Sequence, residues 1–134
     1  MTGKRWKAEC SGGQVTVYSP GGTQYLMGKI VKSNPDPKAI YSLYPTKITD
    51  RNGNYANITY ERLGPRITQI TTNDGRVVNF GYTNYTVSSG NSSYTINLLS
   101  SISSEDKTVR YSYDQVPGQG AFFLSKVTLP DGTN

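Results

Sequence analysis

The stretch Ile67-Thr-Gln-Ile-Thr-Thr-Asn-Asp-Gly-Arg-Val-Val-Asn-Phe-Gly-Tyr82 joins an apolar start to a polar turn, then places apolar or aromatic residues at every second position. Side chains alternate faces along a strand. With Asn73-Asp74-Gly75 as a three-residue loop, Thr72 faces Arg76 and Ile70 faces Val78, so Ile70, Val78, Phe80 and Tyr82 share one side. A two-residue Asp-Gly loop would pair Ile70 with Asn79 and send Ile70 to the side opposite Phe80. The longer loop keeps the apolar set together, and a slip of one residue would split it. A type I turn followed by a left-handed residue suits such a loop and places Gly at its third position.

The element recurs. It runs from Val17 through Gly22 to Tyr25 and Met27, and from Ile48 through Gly53 to Ile58 and Tyr60. Pro20-Gly21-Gly22 pairs Val17 with Tyr25, and Arg51-Asn52-Gly53 pairs Ile48 with Ala56, in the same register. A fourth unit, Ile102 to Val109, Tyr111 and Tyr113, is one residue shorter and lacks the Gly. Pairing Ile102 with Val109 leaves the two-residue loop Glu105-Asp106, and the apolar face survives. A fifth unit opens at Val127 and reaches Gly132. Repetition with a turn in each unit predicts stacked hairpins. The expected fold is all-β: antiparallel stacked β-hairpin repeats forming a curved, open sheet. The structural turn residues are Gly22, Gly53, Gly75, Asp106 and Gly132.

Composition agrees with this reading. Of 134 residues, 34% are hydrophobic and 17% charged, which fits neither a highly charged disordered chain nor an oily one. Ser, Thr, Asn, Gly and 11 Tyr fill the difference, a mixture suited to pleated surfaces and turns. No stretch shows convincing helical periodicity. None approaches the ~20 apolar residues of a spanning helix, and no apolar core follows the basic Met1 to Lys7 as in a secretory signal. Cys10 is the lone cysteine, read as a small buried or half-exposed residue, with no His to activate it. Three Asn-X-Ser/Thr acceptor patterns, at Asn57, Asn84 and Asn91, are read as by-products of a chain rich in these residues.

Three zones follow. Residues 1–45 hold Trp6, the first hairpin, and a connector from Lys32 to Pro45 whose Pro35, Pro37 and Pro45 disfavour a central strand. Residues 46–134 carry the successive hairpins as one continuous sheet domain, the last repeat truncated. Within them Thr83 to Asn97 is a polar stretch whose Ser88 to Ser93 centre reads as a hairpin tip, and Pro117 to Gly120 is a Gly-rich loop.

The net charge of +5 gathers partly in Lys4, Arg5 and Lys7 and is otherwise scattered singly, with Arg110 on the face opposite Val109 and Tyr111. A nucleic-acid site needs concentrated basic residues with stacking aromatics, so no nucleic-acid partner is expected. With no His and one Cys, the usual proton shuttle, nucleophile-base pair and zinc site are missing. Two carboxylates suffice for a glycosidase. Asp50, Asp74, Glu105, Asp106 and Asp131 nevertheless fall at or beside turns, where Asp caps backbone donors, and Glu61 and Asp114 show no evident partner. No enzyme and no cofactor are expected.

The segments Ile48-Thr-Asp-Arg-Asn-Gly-Asn54, Ile67 to Tyr82, Leu99-Ser-Ser-Ile-Ser-Ser-Glu-Asp-Lys-Thr-Val-Arg-Tyr-Ser-Tyr-Asp114 and Leu124-Ser-Lys-Val-Thr-Leu-Pro-Asp-Gly-Thr133 resemble RHS/YD repeats, with Tyr113-Asp114 as the dipeptide behind the name. The resemblance covers residues 46 to 134 closely and 14 to 27 more loosely. Two departures stand out: the fourth unit lacks its turn Gly, and only that unit has the full Tyr-Asp pair.

The resemblance implies a scaffold. In bacterial Rhs proteins, insecticidal toxin complexes and teneurins, such repeats form long sheets that spiral into a hollow shell. In the toxins the shell encloses a C-terminal effector domain. The implied partners are further repeats of a longer parent chain and that enclosed effector, and the implied location is secreted or cell-surface, with no membrane insertion. No chambered effector or autoproteolytic segment can be matched here. Repeats of this family have also been linked to carbohydrate. On that alternative, Tyr60, Tyr82, Tyr111 and Tyr113 belong to the packed face, while Tyr41, Tyr44, Tyr85 and Tyr94 lie off the register and are the candidates for glycan contact.

Overall fold

A computed structural model describes the chain except residues 1–4, 34–37 and 90. Pro35 and Pro37 of the expected connector therefore lie outside the described residues. The chain is all-β and antiparallel, with no helix among the described residues. It divides into two compact units, Met1–Val77 and Val78–Asn134.

The first unit holds β1 (Lys7–Ser11), β2 (Gln14–Tyr18), β3 (Gln24–Leu26), β4 (Lys29–Lys32), β5 (Tyr41–Tyr44), β6 (Lys47–Thr49), β7 (Tyr55–Tyr60) and β8 (Ile67–Thr72). Neighbours pair in the order β1-β2-β3-β6-β7-β8, so β3 pairs directly with β6 and the β4–β5 segment stands outside this ladder. The second unit holds β9 (Val77–Ser89), β10 (Ser92–Ser104), β11 (Lys107–Gln115) and β12 (Phe122–Thr128), paired in chain order.

The hairpin registers follow from residue parity. Val17 faces Tyr25, Ile48 faces Ala56, and Ile102 faces both Val109 and Phe80. Four loops close in the same way. In each, the residue before the loop donates its N–H across it, Ser19 to Thr23, Asp50 to Asn54, Thr72 to Arg76 and Leu129 to Thr133, at 2.8–3.0 Å. The Gly at the third loop place then donates back to that same residue at 2.9–3.1 Å. Gly22, Gly53 and Gly75 have φ of 88° and Gly132 has 83°, the left-handed region that a Cβ penalises. The short fourth loop is the two-residue Glu105-Asp106 turn expected from pairing Ile102 with Val109. Its left-handed residue is Glu105, with φ of 53°. Deleting one loop residue moves the reversal forward by one position and strains a side-chain-bearing residue.

A second device recurs at the start of three of the repeats. Thr68 interrupts the β7–β8 register, Ser100 that of β9–β10, and Ser125 that of β11–β12, so each is the extra residue of a β-bulge. Each lies one residue after a leading Ile67, Leu99 or Leu124 and two before Ile70, Ile102 or Val127. The hydroxyl of Thr68 donates to the Thr59 carbonyl and that of Ser125 to the Ser112 carbonyl, at 3.3 and 3.2 Å. A bulge bends its strand and sharpens its twist. Opposite it stands the repeat's aromatic: Tyr60, Tyr82 or Tyr113. The Tyr60 hydroxyl donates to the Pro45 carbonyl at 2.7 Å and that of Tyr113 to the Leu99 carbonyl at 2.8 Å. Each acceptor lies three residues before the leading Ile48 or Ile102 of the same hairpin. The tyrosine thus ties the end of a unit to its beginning.

One expectation is corrected and two features are added. The connector from Lys32 to Pro45 contains β5, which pairs with β4 as a separate two-stranded sheet. Cys10 is exposed, because β1 is an edge strand. Strand β1 also forms an additional hairpin, Lys7 to Tyr18 and Ser11 to Gln14, through Gly12 and Gly13, both with positive φ. That Gly-Gly between two β-prone stretches is the usual sign of a two-residue loop.

Candidate functional surfaces

The four off-register tyrosines fall into different settings. Tyr41 and Tyr44 lie on β5, where alternation sends them to opposite faces. Tyr41 is 62% exposed, whereas the Tyr44 ring lies 6.1 Å from that of Tyr60. This contact and burial raise the Tyr60 hydroxyl above its ordinary pKa, burial being the larger cause.

In the second unit Tyr85 and Val87 on β9 face Ile96 and Tyr94 on β10. Alternation puts Tyr85 and Val87 on the side of β9 opposite Phe80 and Tyr82. That second side meets the β11–β12 hairpin: the Tyr85 ring is 4.9 Å from Phe122 and 5.9 Å from Tyr113, the latter edge-on. The Tyr94 hydroxyl donates to the Gly120 carbonyl at 2.8 Å, pinning the Val116–Ala121 loop. Beneath it Val87 is fully buried, the one buried hydrophobic among the described residues. A Cβ at Gly120 would come within 2.6 Å of the Tyr94 hydroxyl and 3.1 Å of Val87, so this loop requires Gly for close approach. Tyr85 is therefore a packing residue, and Tyr94, 48% exposed, is half platform and half latch.

A shallow groove of about 420 Å³ runs along two neighbouring turns of the first unit, with Ile48, Tyr55 and Ala56 on its apolar side and Asp50, Asn54 and Asp74 on its polar side. The turns are joined there: Asn73 donates its N–H to the Tyr55 carbonyl at 3.0 Å, and the Tyr55 N–H donates to the Asn73 side chain at 3.2 Å. The carboxylates are engaged locally. Asp50 accepts the N–H of Asn52 and Asn54 at 2.8 and 2.9 Å and the Asn54 side-chain amide at 2.9 Å. Asp74 accepts the Thr72 hydroxyl and pairs with Arg76 at 3.0 Å. Asp131 accepts the Thr133 N–H and hydroxyl at 2.9 and 2.6 Å.

Side-chain hydrogen bonds are the main cause that holds Asp50, Asp74 and Asp131 below the ordinary carboxylate pKa, the donors being Asn54, Thr72 and Thr133. Three stabilised anions suit turn caps, since an acid catalyst needs a carboxyl whose pKa is raised. Glu61 has the partner that its sequence context did not reveal. Arg66, five residues on, meets it at 2.7 Å across a tight loop. No cluster of three or more His, Cys, Asp or Glu side chains suitable for a metal exists among the described residues. Compared with family models, curated proteins and solved structures, the chain has no match in any of the three.

Proposed function

We propose that this chain is a non-catalytic structural repeat segment of an RHS/YD-repeat protein, part of the wall of a β-sheet shell that encloses or presents a C-terminal effector domain. The observation that carries this reading is the recurrence of three local devices. Glycine-closed turns return in four loops, Ser/Thr bulges at three strands and tyrosine ties in two hairpins, at matched offsets and combined two at a time. A unit of this kind exposes one face and an edge until another unit covers them, so it serves by addition. Its carboxylates cap turns instead of pairing across a cleft, which favours a scaffold over a hydrolase. Further repeats and the enclosed effector are the proposed partners, and the parent works secreted or at a cell surface.

Reading the genomic locus beyond the codon for Asn134 tests the proposal. Further units with the same Ser/Thr and Tyr offsets, followed by a domain unrelated to them, are expected; a continuation without those offsets would sink it. The exposure of Tyr41 and Tyr94 favours one second reading, a carbohydrate-binding or adhesive β module. On a glycan array this reading expects hits that disappear in Tyr41→Ala or Tyr94→Ala, and a blank array rejects it.

A further inference from the structure

We propose that the free edge of β1 pairs with the β1 edge of a second copy of this chain, antiparallel and centred on Ala8. Self-pairing of this edge is independent of the scaffold reading, which the genomic locus tests. Strand β1 ends the ladder of the first unit, with β2 on one side and no strand on the other among the described residues. All of its side chains are exposed.

The Gly12-Gly13 loop fixes which backbone groups face outward. Ser11 and Gln14 flank this two-residue turn and exchange hydrogen bonds, so Glu9 with Thr16 and Lys7 with Tyr18 do the same. The N–H and C=O groups of Ala8 and Cys10 then point away from β2. The Val15 carbonyl, opposite Cys10, agrees, since it accepts the Met27 N–H on its far side at 2.8 Å.

Charge selects the occupant and the register. Lys7 and Glu9 flank Ala8 on one side of the strand and form an ion pair with each other. Charged side chains on an edge ordinarily keep other strands away. Against its own copy, however, Lys-Ala-Glu is self-complementary. With Ala8 opposite Ala8, each Lys7 faces the Glu9 of the other copy at the closely spaced positions between hydrogen-bonded pairs. Centring on Glu9 would bring two carboxylates together, centring on Lys7 two ammonium groups, and centring on Cys10 gives neither charge an opposite. The net charge of +5 on each copy is screened beyond about 8 Å at physiological ionic strength, so the local order decides. On the other side of the strand, Ala8 lies in line with Val17 and Tyr25. The Ala8 register sets Cys10 opposite Trp6, whose ring lies 5.9 Å from that of Tyr25 and which is 62% exposed. Such a two-fold pairing occupies the edge of both copies and closes.

Analytical ultracentrifugation of the full chain under reducing conditions, from about 1 µM to 1 mM, tests this, because a short edge forms a weak interface. A monomer–dimer equilibrium is expected. Lys7→Glu and Glu9→Lys should each weaken it by about tenfold, and mixing the two variants should restore it, since each residue then faces its opposite. Ala8→Pro removes an outward N–H without touching the β1–β2 bonds, and should abolish dimers while circular dichroism matches wild type. Ala8→Cys in a Cys10→Ser background should form a disulfide-linked dimer on mild oxidation. Wild-type Cys10, about 14 Å from its copy along the paired strands, should be linked about tenfold more slowly. A chain that stays monomeric overturns the proposal, as do dimers that persist in Lys7→Glu and Ala8→Pro. Faster linkage through Cys10 overturns the register.

Discussion

Every described side chain in Met1–Val77 keeps some contact with solvent, while Val78–Asn134 hides Val87 completely. The first unit has short strands, three glycine-closed turns of one kind, and the β4–β5 pair outside its main ladder. The second contains the stretch that departs from the repeat, Thr83 to Asn97, and there the burial occurs. A single sheet layer can only half-bury its apolar face, because hiding a side chain takes a second layer. The long β9–β10 hairpin brings its other face onto the β11–β12 hairpin and supplies that layer locally. In the second unit the interruption of the repeat thus produces a small core.

The largest way to break this contrast is Val87→Asp, which buries an unpaired charge. A loss of about 3 kcal/mol or more is expected. Hydrogen exchange should show lost protection in β9 to β12 while β6 to β8 stay protected; uniform loss would mean that the units do not differ as described. Gly120→Ala should follow, costing about 1–3 kcal/mol by forcing the loop off Tyr94 and Val87. Tyr94→Phe removes only the latch hydrogen bond and should cost about 1 kcal/mol.

The tyrosine ties are where the two units should agree. Tyr60→Phe and Tyr113→Phe each delete one hydroxyl bonded to a carbonyl, so each should cost about 1 kcal/mol, and the double change should be additive because the sites share no partner. A neutral Tyr60→Phe beside a costly Tyr113→Phe would show that the device is structural in one unit only. The turns give a pair of opposite sign. Gly53 meets nothing within 4 Å of a new Cβ, so Gly53→Ala reads backbone strain alone, at a cost of about 1–2 kcal/mol. Glu105→Gly should gain about 1 kcal/mol, as chemical denaturation would measure, by relieving the left-handed φ.

The smallest effect is that of pH. The folded state lowers the pKa of Asp50, Asp74 and Asp131, so the stability these groups contribute is present above the unfolded value, near 3.8, and is lost as pH falls through the lower folded values. Two of the three belong to the first unit, which should lose protection first in an acid titration. Replacing both Asp50 and Asp74 with Asn should flatten that dependence below about pH 4.

Much of the fold was legible from local rules. The three-residue loop followed from keeping Ile70, Phe80 and Tyr82 on one face, and the shortened fourth loop from pairing Ile102 with Val109. The Gly12-Gly13 hairpin was not read from the sequence, although its turn chemistry marks it. The bulges were not legible, although their residues stand in plain view as Ile67-Thr68, Leu99-Ser100 and Leu124-Ser125. A Ser or Thr after an apolar residue signals nothing until its neighbour strand is known. Glu61 escaped for a similar reason, since its partner Arg66 meets it only when the intervening loop closes tightly.

Composition and alternation alone established an all-β chain of antiparallel hairpins with defined turns and register, because side-chain period and loop length are properties of the local backbone. The tertiary structure decided which aromatics are packed and which are open. It turned Tyr85 inward against Phe122, left Tyr41 in solvent, and placed the apolar side of β4–β5 outside. Those outcomes depend on which strand faces lie against another layer, and no spacing along one strand encodes the position of that second layer.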